Sequence, residues 1–388
     1  MRIALLAGAV GLGMASLMVS ADDARACGGC FHGPTQSGDV ITDHRMIFRV
    51  SPQQTTLYDE IEYQGNPAEF AWVLPIHGQV QVGLSADVLF AALDSATATT
   101  IQSPNPPPCP SCSCYGDNGG FGASGSSSGA SAPAAEAGVS VISQQVVGPY
   151  ETVQLSSTNP TALTDWLSTN GFVVPSDIDP IIAAYVNEGF DFLALKLQPG
   201  QGVQAMRPVS VTTPGAGLSL PLRMVSAGTG ATVGITLWVV SDGRYEASNF
   251  PNFVIQPSQL VWDFATETSN YSTLRQQVES AASFATWQTE SALSLSPYQV
   301  EDTVLAGDAT TDYLPIPAGD AGVGETADQV RQDDLATLFP GGNQGNIFVT
   351  RMRADLAHAA LATDLSLQAS ADQSEISNFY QVTQSVNA

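Results

Sequence analysis

The sequence predicts an α+β protein with a mainly antiparallel β-sheet, several short packing helices and one long disordered insertion. Three observations predict it. Strand-like and helix-like stretches come in runs, without the regular alternation that a parallel sheet requires. Short helical stretches carry proline just inside the start and glycine just past the end. Residues 103–138 hold Pro, Gly, Ser and Ala with almost no large apolar side chain, a composition that cannot offset the entropy of ordering its backbone.

Ahead of that insertion, "HRMIFRV", "TLYDEIEY" and "EFAWVLPI" read as three successive strands. In the second, Leu57, Ile61 and Tyr63 fall on one face and Tyr58, Glu60 and Glu62 on the other, the period-two pattern of a half-buried strand. The third, Phe70 to Ile76, is apolar on both faces, as a covered central strand should be. Ser85 offers an N-cap to a short helix that buries Val88, Leu89, Ala92 and Leu93.

After the insertion, "VSVISQQVVGPYETVQL" predicts a strand pair turning at Gly148 and Pro149. Two helices follow. The first has Asn159 as cap, Pro160 in the first turn, an inner face of Leu163, Trp166 and Leu167, and Gly171 past its end; the second repeats the plan with Asp179, Pro180, Ile181, Ile182, Tyr185, Val186 and Gly189. "FDFLALKLQ", "PLRMVSA" and "ATVGITLWVV" return to strands. A helix over 272–287 has Leu274, Val278 and Ala281 or Ala282 on its inner face, and another starts at Thr326, where Gln329 completes a capping box, and stops at Pro340. "IFVTRMRADL" reads as a strand, or as a strand turning into helix near Ala354. No repeat of solenoid or propeller type is visible.

The chain starts with Met1 and Arg2, an apolar run from Ile3 to Val19, and Ala24, Arg25 and Ala26 before Cys27. This is the charged, apolar and small-residue order of a secretory signal peptide cleaved after Ala26. Ala24 occupies the position where a lipoprotein signal carries a large aliphatic residue, which argues against acylation of Cys27. No later stretch is apolar over the length of a bilayer, so the mature chain carries no predicted transmembrane segment. Its roughly 360 residues can bury a sizeable core.

Thirty-seven acidic residues against twelve basic ones give a net charge of −25. Such a field repels phosphate backbones and excludes nucleic acid as a partner. It suits an exported protein kept soluble by its charge, with an envelope or extracellular partner.

Several ordered landmarks carry a resemblance: "ACGGCF", "FAWVLPI", "GPYE", "DWLSTNGFVVP", "YVNEGFDFLALKL", "LPLRM", "LWVVSDGRY" and "TRMRADL". In this order and spacing the chain resembles an exported bacterial family known only as a domain of unknown function, number twenty-three-thirty. The resemblance implies export, and one family domain interrupted by a variable Pro-, Gly- and Cys-rich loop. It carries no activity, ligand or catalytic residue with it. The resulting division is a signal peptide over 1–26, a first part of the domain over 27–102, the insertion over 103–138, and the remainder over 139–388, with room there for a second subdomain. Many relatives end in a membrane-anchoring helix; "SEISNFYQVTQSVNA" departs from that pattern.

The five cysteines, Cys27, Cys30, Cys109, Cys112 and Cys114, lie at the mature start and in the insertion. In an exported chain the expected state is disulfide. Zinc is the alternative, since Cys27-x-x-Cys30 and Cys109-x-x-Cys112 supply four thiolates, with His32 or Cys114 as further ligands. Redox catalysis fits less well, because the glycines and proline of "CGGCFHGPTQSG" stand where a helix N-terminus would have to lower a thiol's pKa. Gly125 to Gly129 match a nucleophile elbow formally but lie in low-complexity sequence. His32, His44, His77 and His358 form no local metal motif.

Three further candidates carry weaker signals. Glu60 and Glu62 project from one strand face about 7 Å apart, a spacing open to paired-carboxylate chemistry and equally to an ordinary polar face. Lys196 is the sole lysine, on the same strand face as Phe190 and Phe192; such a residue is either buried and reactive or extends its charge to water. Residues 301–334 hold nine carboxylates and are open to calcium, without the ordered spacing of an EF-hand, and they read as a solvated loop. The sequence requires no cofactor; zinc and calcium stay open. The functional expectation is an exported, non-enzymatic structural or binding domain at or outside the cell envelope. A secreted hydrolase and a zinc-binding or thiol-active envelope protein stand as alternatives.

Overall fold

Strands β2 (Asp43–Val50), β3 (Gln54–Asp59) and β4 (Ala71–Ile76) form where the sequence alternation placed them, and each is buried on both faces. In β2, Met46, Phe48 and Val50 enter one core while Ile47 enters another. The half-buried expectation for β3 is therefore corrected: Leu57 packs on one side and Tyr58 on the other, because helices cover the face that was expected to meet water. The computed structural model describes residues 30–31, 43–60, 70–105, 139–172, 178–226, 231–301, 313, 315–316, 324–342 and 345–387.

The other main strands are β1 (Cys30–Phe31), β5 (Gln81–Leu84), β6 (Ser140–Val147), β7 (Tyr150–Ser156), β8 (Asp191–Leu197), β9 (Val209–Pro214), β10 (Thr232–Ser241), β11 (Asn252–Phe253), β12 (Trp287–Leu295) and β13 (Ile347–Ala357). The helices are α1 (Asp87–Thr97), α2 (Pro160–Thr169), α3 (Asp179–Asn187), α4 (Leu222–Val225), α5 (Tyr271–Ala281), α6 (Pro297–Val300) and α7 (Ala327–Leu338). A five-stranded sheet runs β1-β4-β8-β7-β6, with every pairing antiparallel. An eight-stranded sheet runs β11-β12-β13-β10-β2-β3-β9-β5; its β10–β2 and β11–β12 pairings are parallel and the rest antiparallel. Three small ribbons complete the strands. The α+β class holds.

The two sheets pack face to face. Their shared core joins Met46, Phe48, Leu57, Leu237 and Val239 of the large sheet to Trp72, Leu74, Leu193 and Leu195 of the small one. Helices α2 and α3 cover the outer face of the small sheet, where Leu163, Leu167, Ile182 and Tyr185 meet Val73, Val153 and Phe192. Helices α1, α6 and α7 cover the outer face of the large sheet, where Leu89, Phe90, Leu93, Val330 and Leu338 meet Ile47, Tyr58, Trp238 and Val349. The result is four layers, helix on sheet on sheet on helix, each sheet burying both faces.

Local signals decide the element ends. Asn159 Oδ1 accepts from the Thr161 and Ala162 amides at the start of α2, and Gly171 takes a φ of +80° just past its end, as the helix exit requires. Gly148 turns the β6–β7 hairpin at a φ of +55°. Thr326 and Gln329 form the expected capping box of α7.

Four further expectations are corrected, and one open alternative is settled as strand. The N-cap of α1 is Ala86, and Ser85 sends its hydroxyl elsewhere. Ile178, not Asp179, is the cap of α3, and Ile181 is only partly buried. "PLRMVSA" folds as the short helix α4, with Leu222, Met224 and Val225 inside. Helix α5 stops at Ala281 and buries Glu279, leaving Val278 38% exposed; Leu274 packs inward as expected, against the cluster of Ile255, Leu260, Tyr380 and Val382, while Arg275 pairs with Glu279 and with Asp355 of β13. "IFVTRMRADL" is strand throughout, continuing to Ala357.

Candidate functional site

Alternation along β3 and β9 turns Thr56, Tyr58, Ser210 and Thr212 toward the helices on the large sheet. Antiparallel register sets Tyr58 opposite Ser210 and Thr56 opposite Thr212, and the two threonine hydroxyls lie 2.8 Å apart. On the next strand Gly83 stands opposite Ser210. A Cβ at Gly83 would lie 2.8 Å from Ser210 Oγ, so the missing side chain keeps this floor open. Above it, Val330, Asp333, Asp334 and Thr337 share one face of α7, spaced at i, i+3, i+4 and i+7. Floor and roof enclose a cleft of about 240 Å³, also lined by Ile316 and Glu325.

Asp334 is the charged group set deepest in this wall, at 4% exposure. Its Oδ2 accepts from Ser85 Oγ at 2.6 Å and from the Tyr313 hydroxyl at 3.1 Å, and the Tyr58 hydroxyl is a third hydrogen-bond partner. Burial pushes its carboxyl up to about 7, the three hydroxyls oppose that rise, and the neighbouring Asp333 charge adds to it. The same burial and the same carboxylate raise the Tyr58 and Tyr313 phenols.

Lys196 stands at another place. Its ammonium donates to the Asn170 carbonyl at 2.9 Å, lies 3.2 Å from Glu151 Oε2, and sits 5.1 Å from the centre of the Phe172 ring. Asn170 is the C-cap of α2, so the lysine places a cation where the helix dipole ends negative. The hollow beside it measures about 10 Å³, room for a single water.

Glu60 is 5% exposed and is bound by the Arg45 guanidinium through two hydrogen bonds. The exposed polar face expected for it is corrected: it is buried in an ion pair under Phe90, whose ring Arg45 also covers at 5.7 Å. Glu62, His32, Cys27, Cys109, Cys112 and Cys114 lie outside the described residues. The backbone of Cys30 pairs with Trp72 at the edge of the small sheet. Among the described residues no three His, Cys, Asp or Glu side chains converge as a metal site would require. Of the carboxylates in 301–334, read together as a solvated loop, Asp328, Asp333 and Asp334 lie instead on α7, the helix predicted from Thr326.

Two groups escaped the sequence. His44 Nε2 and Asp59 Oδ1 meet at 2.6 Å across neighbouring strands, both buried, in a hollow of about 10 Å³ that is otherwise apolar. No nucleophile lines it among the described residues. Asp334 was also missed, although one signal marks it: it stands where an apolar residue belongs, between Val330 and Leu338 on the inner stripe of α7.

No curated protein and no solved structure matches the chain. A two-sheet sandwich flanked by helices, matched from residue 21 to residue 368 by one family pattern, belongs to the bacterial family DUF2330, described as an uncharacterized protein conserved in bacteria.

Proposed function

We propose that this chain is an exported, non-enzymatic binding domain that works at or outside the cell envelope and takes a small polar ligand in the cleft beneath α7. The cleft carries the proposal. Its hydroxyls and carboxylates converge from two β-strands and a helix onto one space of about 240 Å³, the arrangement by which binding sites fix a polar ligand. Ser85, whose hydroxyl donates to Asp334, is 1% exposed and does not line the cleft, which argues against this serine as a nucleophile toward a ligand there. Export is supported by the signal-like order of residues 1–26. For four of the five cysteines we infer two disulfides that tie the mature N-terminus to the insertion, with one thiol left over.

Ligand-observed NMR screening of small polar compounds tests the binding role, with a Thr212→Trp variant that fills the cleft from its floor. Hits lost in the variant support it. A screen without such hits removes it. Intact and native mass spectrometry of protein from the producing cell tests export and cysteines together, expecting cleavage after Ala26, four oxidised cysteines and no zinc.

A secreted hydrolase is the second reading, favoured by one observation: Asp334 faces the cleft with its carboxyl pushed up to about 7, the range in which a general acid works. Turnover on a hydrolase substrate panel, abolished by Asp334→Asn, would favour it over simple binding.

A further inference from the structure

The chemistry of the cleft walls selects among small polar ligands. Thr56, Tyr58, Ser210, Thr212 and Thr337 present hydroxyl oxygens, and Glu325, Asp333 and Asp334 present carboxyls. No Lys, Arg or His lines it among the described residues. Arg331, one turn away on α7, is engaged by Glu301 at 3.0 Å. Among the described residues an anion would meet three carboxylates and no counter-charge. A bare metal ion would meet no converging set of three ligands among the described residues. The volume is that of about eight waters at ~30 Å³ each, which suits a compact organic molecule.

Charge then separates a neutral polyol from a cation. Both can donate hydrogen bonds to the hydroxyl and carboxyl oxygens. A cation brings the opposite charge that a carboxylate held in a buried wall calls for, which a neutral polyol does not. From this we propose that the cleft binds a small organic ammonium ion, with Asp334 as its counter-charge and the hydroxyls of β3 and β9 as its acceptors. The inference rests on the binding role proposed for the cleft and names the ligand class.

The groups around Asp334 set a pH dependence. They are Ser85 ahead of α1, Tyr58 on β3, Tyr313, and Asp333 beside it on α7, with Arg331 acting on Tyr313. An ammonium ion binds the ionised carboxylate, so below neutral pH binding must expel the Asp334 proton.

The test is calorimetric titration of the full chain with cadaverine, with its neutral isostere 1,5-pentanediol, with erythritol, and with calcium chloride. Cadaverine binding is expected, weakening about tenfold per pH unit below pH 7 and at least tenfold in either Asp334→Asn or Thr212→Trp. Asp372→Asn, an exposed carboxylate elsewhere on the surface, should leave it unchanged. Should Asp334→Asn fail to fold, Thr212→Trp and the wild-type pH profile still decide. Pentanediol, erythritol or calcium binding as tightly as cadaverine overturns the ammonium assignment and leaves the cleft a binding site. Cadaverine binding that ignores pH and both cleft variants overturns it as well. If no probe binds and the NMR screen is empty, the binding role falls with it.

Discussion

Ser85 Oγ donates to Oδ2 of Asp334 over 2.6 Å, joining two residues 249 positions apart in the chain. The contact fastens α7 to the segment that leads into α1. Replacing Ser85 with alanine removes a hydrogen bond to a buried charged group, worth about 1.5–3 kcal/mol. Urea unfolding at pH 8, where Asp334 is ionised, should show a loss of that order. At pH 5 the loss should be smaller, because the hydroxyl favours the carboxylate form.

Asp334 also sets a slope of stability with pH. Its folded value of about 7 lies above the 3.8 of a free aspartate, so between these values the folded chain holds a proton that the unfolded chain has released. Stability contributed by this group is present below pH 4, declines as pH rises toward 7, and levels off above it. The decline is on the order of 4 kcal/mol. Asp334→Asn should flatten that part of the profile, read as the urea midpoint from pH 4 to 8; an unchanged slope would assign it to other groups, such as Glu279, whose carboxyl burial also raises.

Lys196 offers a double-mutant test. Lys196→Met leaves Glu151, 8% exposed, without its cation, and removes the charge at the end of α2. A loss of about 2–4 kcal/mol is expected. Adding Glu151→Gln should recover most of it, which a cycle of chemical-denaturation measurements would show. Additive losses would mean that the two side chains do not couple.

Gly83→Ala pushes a methyl group to 2.8 Å from Ser210 Oγ. Overpacking of this kind costs about 1–3 kcal/mol. Because the obstacle is the hydroxyl, Ser210→Ala in the same chain should relieve the strain, measured as the shift of the thermal midpoint in the single and double variants.

Much of the fold was legible where the signal is local. The Asn159 cap with Pro160, the Thr326 and Gln329 capping box and the Gly148 turn are each set by a few adjacent residues, and all three formed. Legibility failed where a second layer decides. Tyr58 and Glu60 look like the wet face of a strand until α1 and α7 cover them. The inner side of α5 takes in Arg275 and Glu279 beside Leu274 because Asp355, some eighty positions later, is a partner of Arg275. The cleft itself was invisible for the same reason: its floor comes from β3, β5 and β9 and its roof from α7, and no stretch of sequence contains both.

The wiring of the large sheet bears on how the chain reaches this state. Its centre, β13-β10-β2-β3, is closed by pairing the first long strand, β2, in parallel with β10, and β10 on its other edge with β13, a strand that ends at residue 357. A nascent fragment that stops short of residue 347 leaves one edge of β10 and one edge of β12 unpaired. Open edges of that length are templates for aggregation, and contacts this distant in the chain form slowly. Completion of the sandwich therefore waits for nearly the whole chain, so a carboxy-terminal truncation before β13 should yield an insoluble product even though most of the core residues are present.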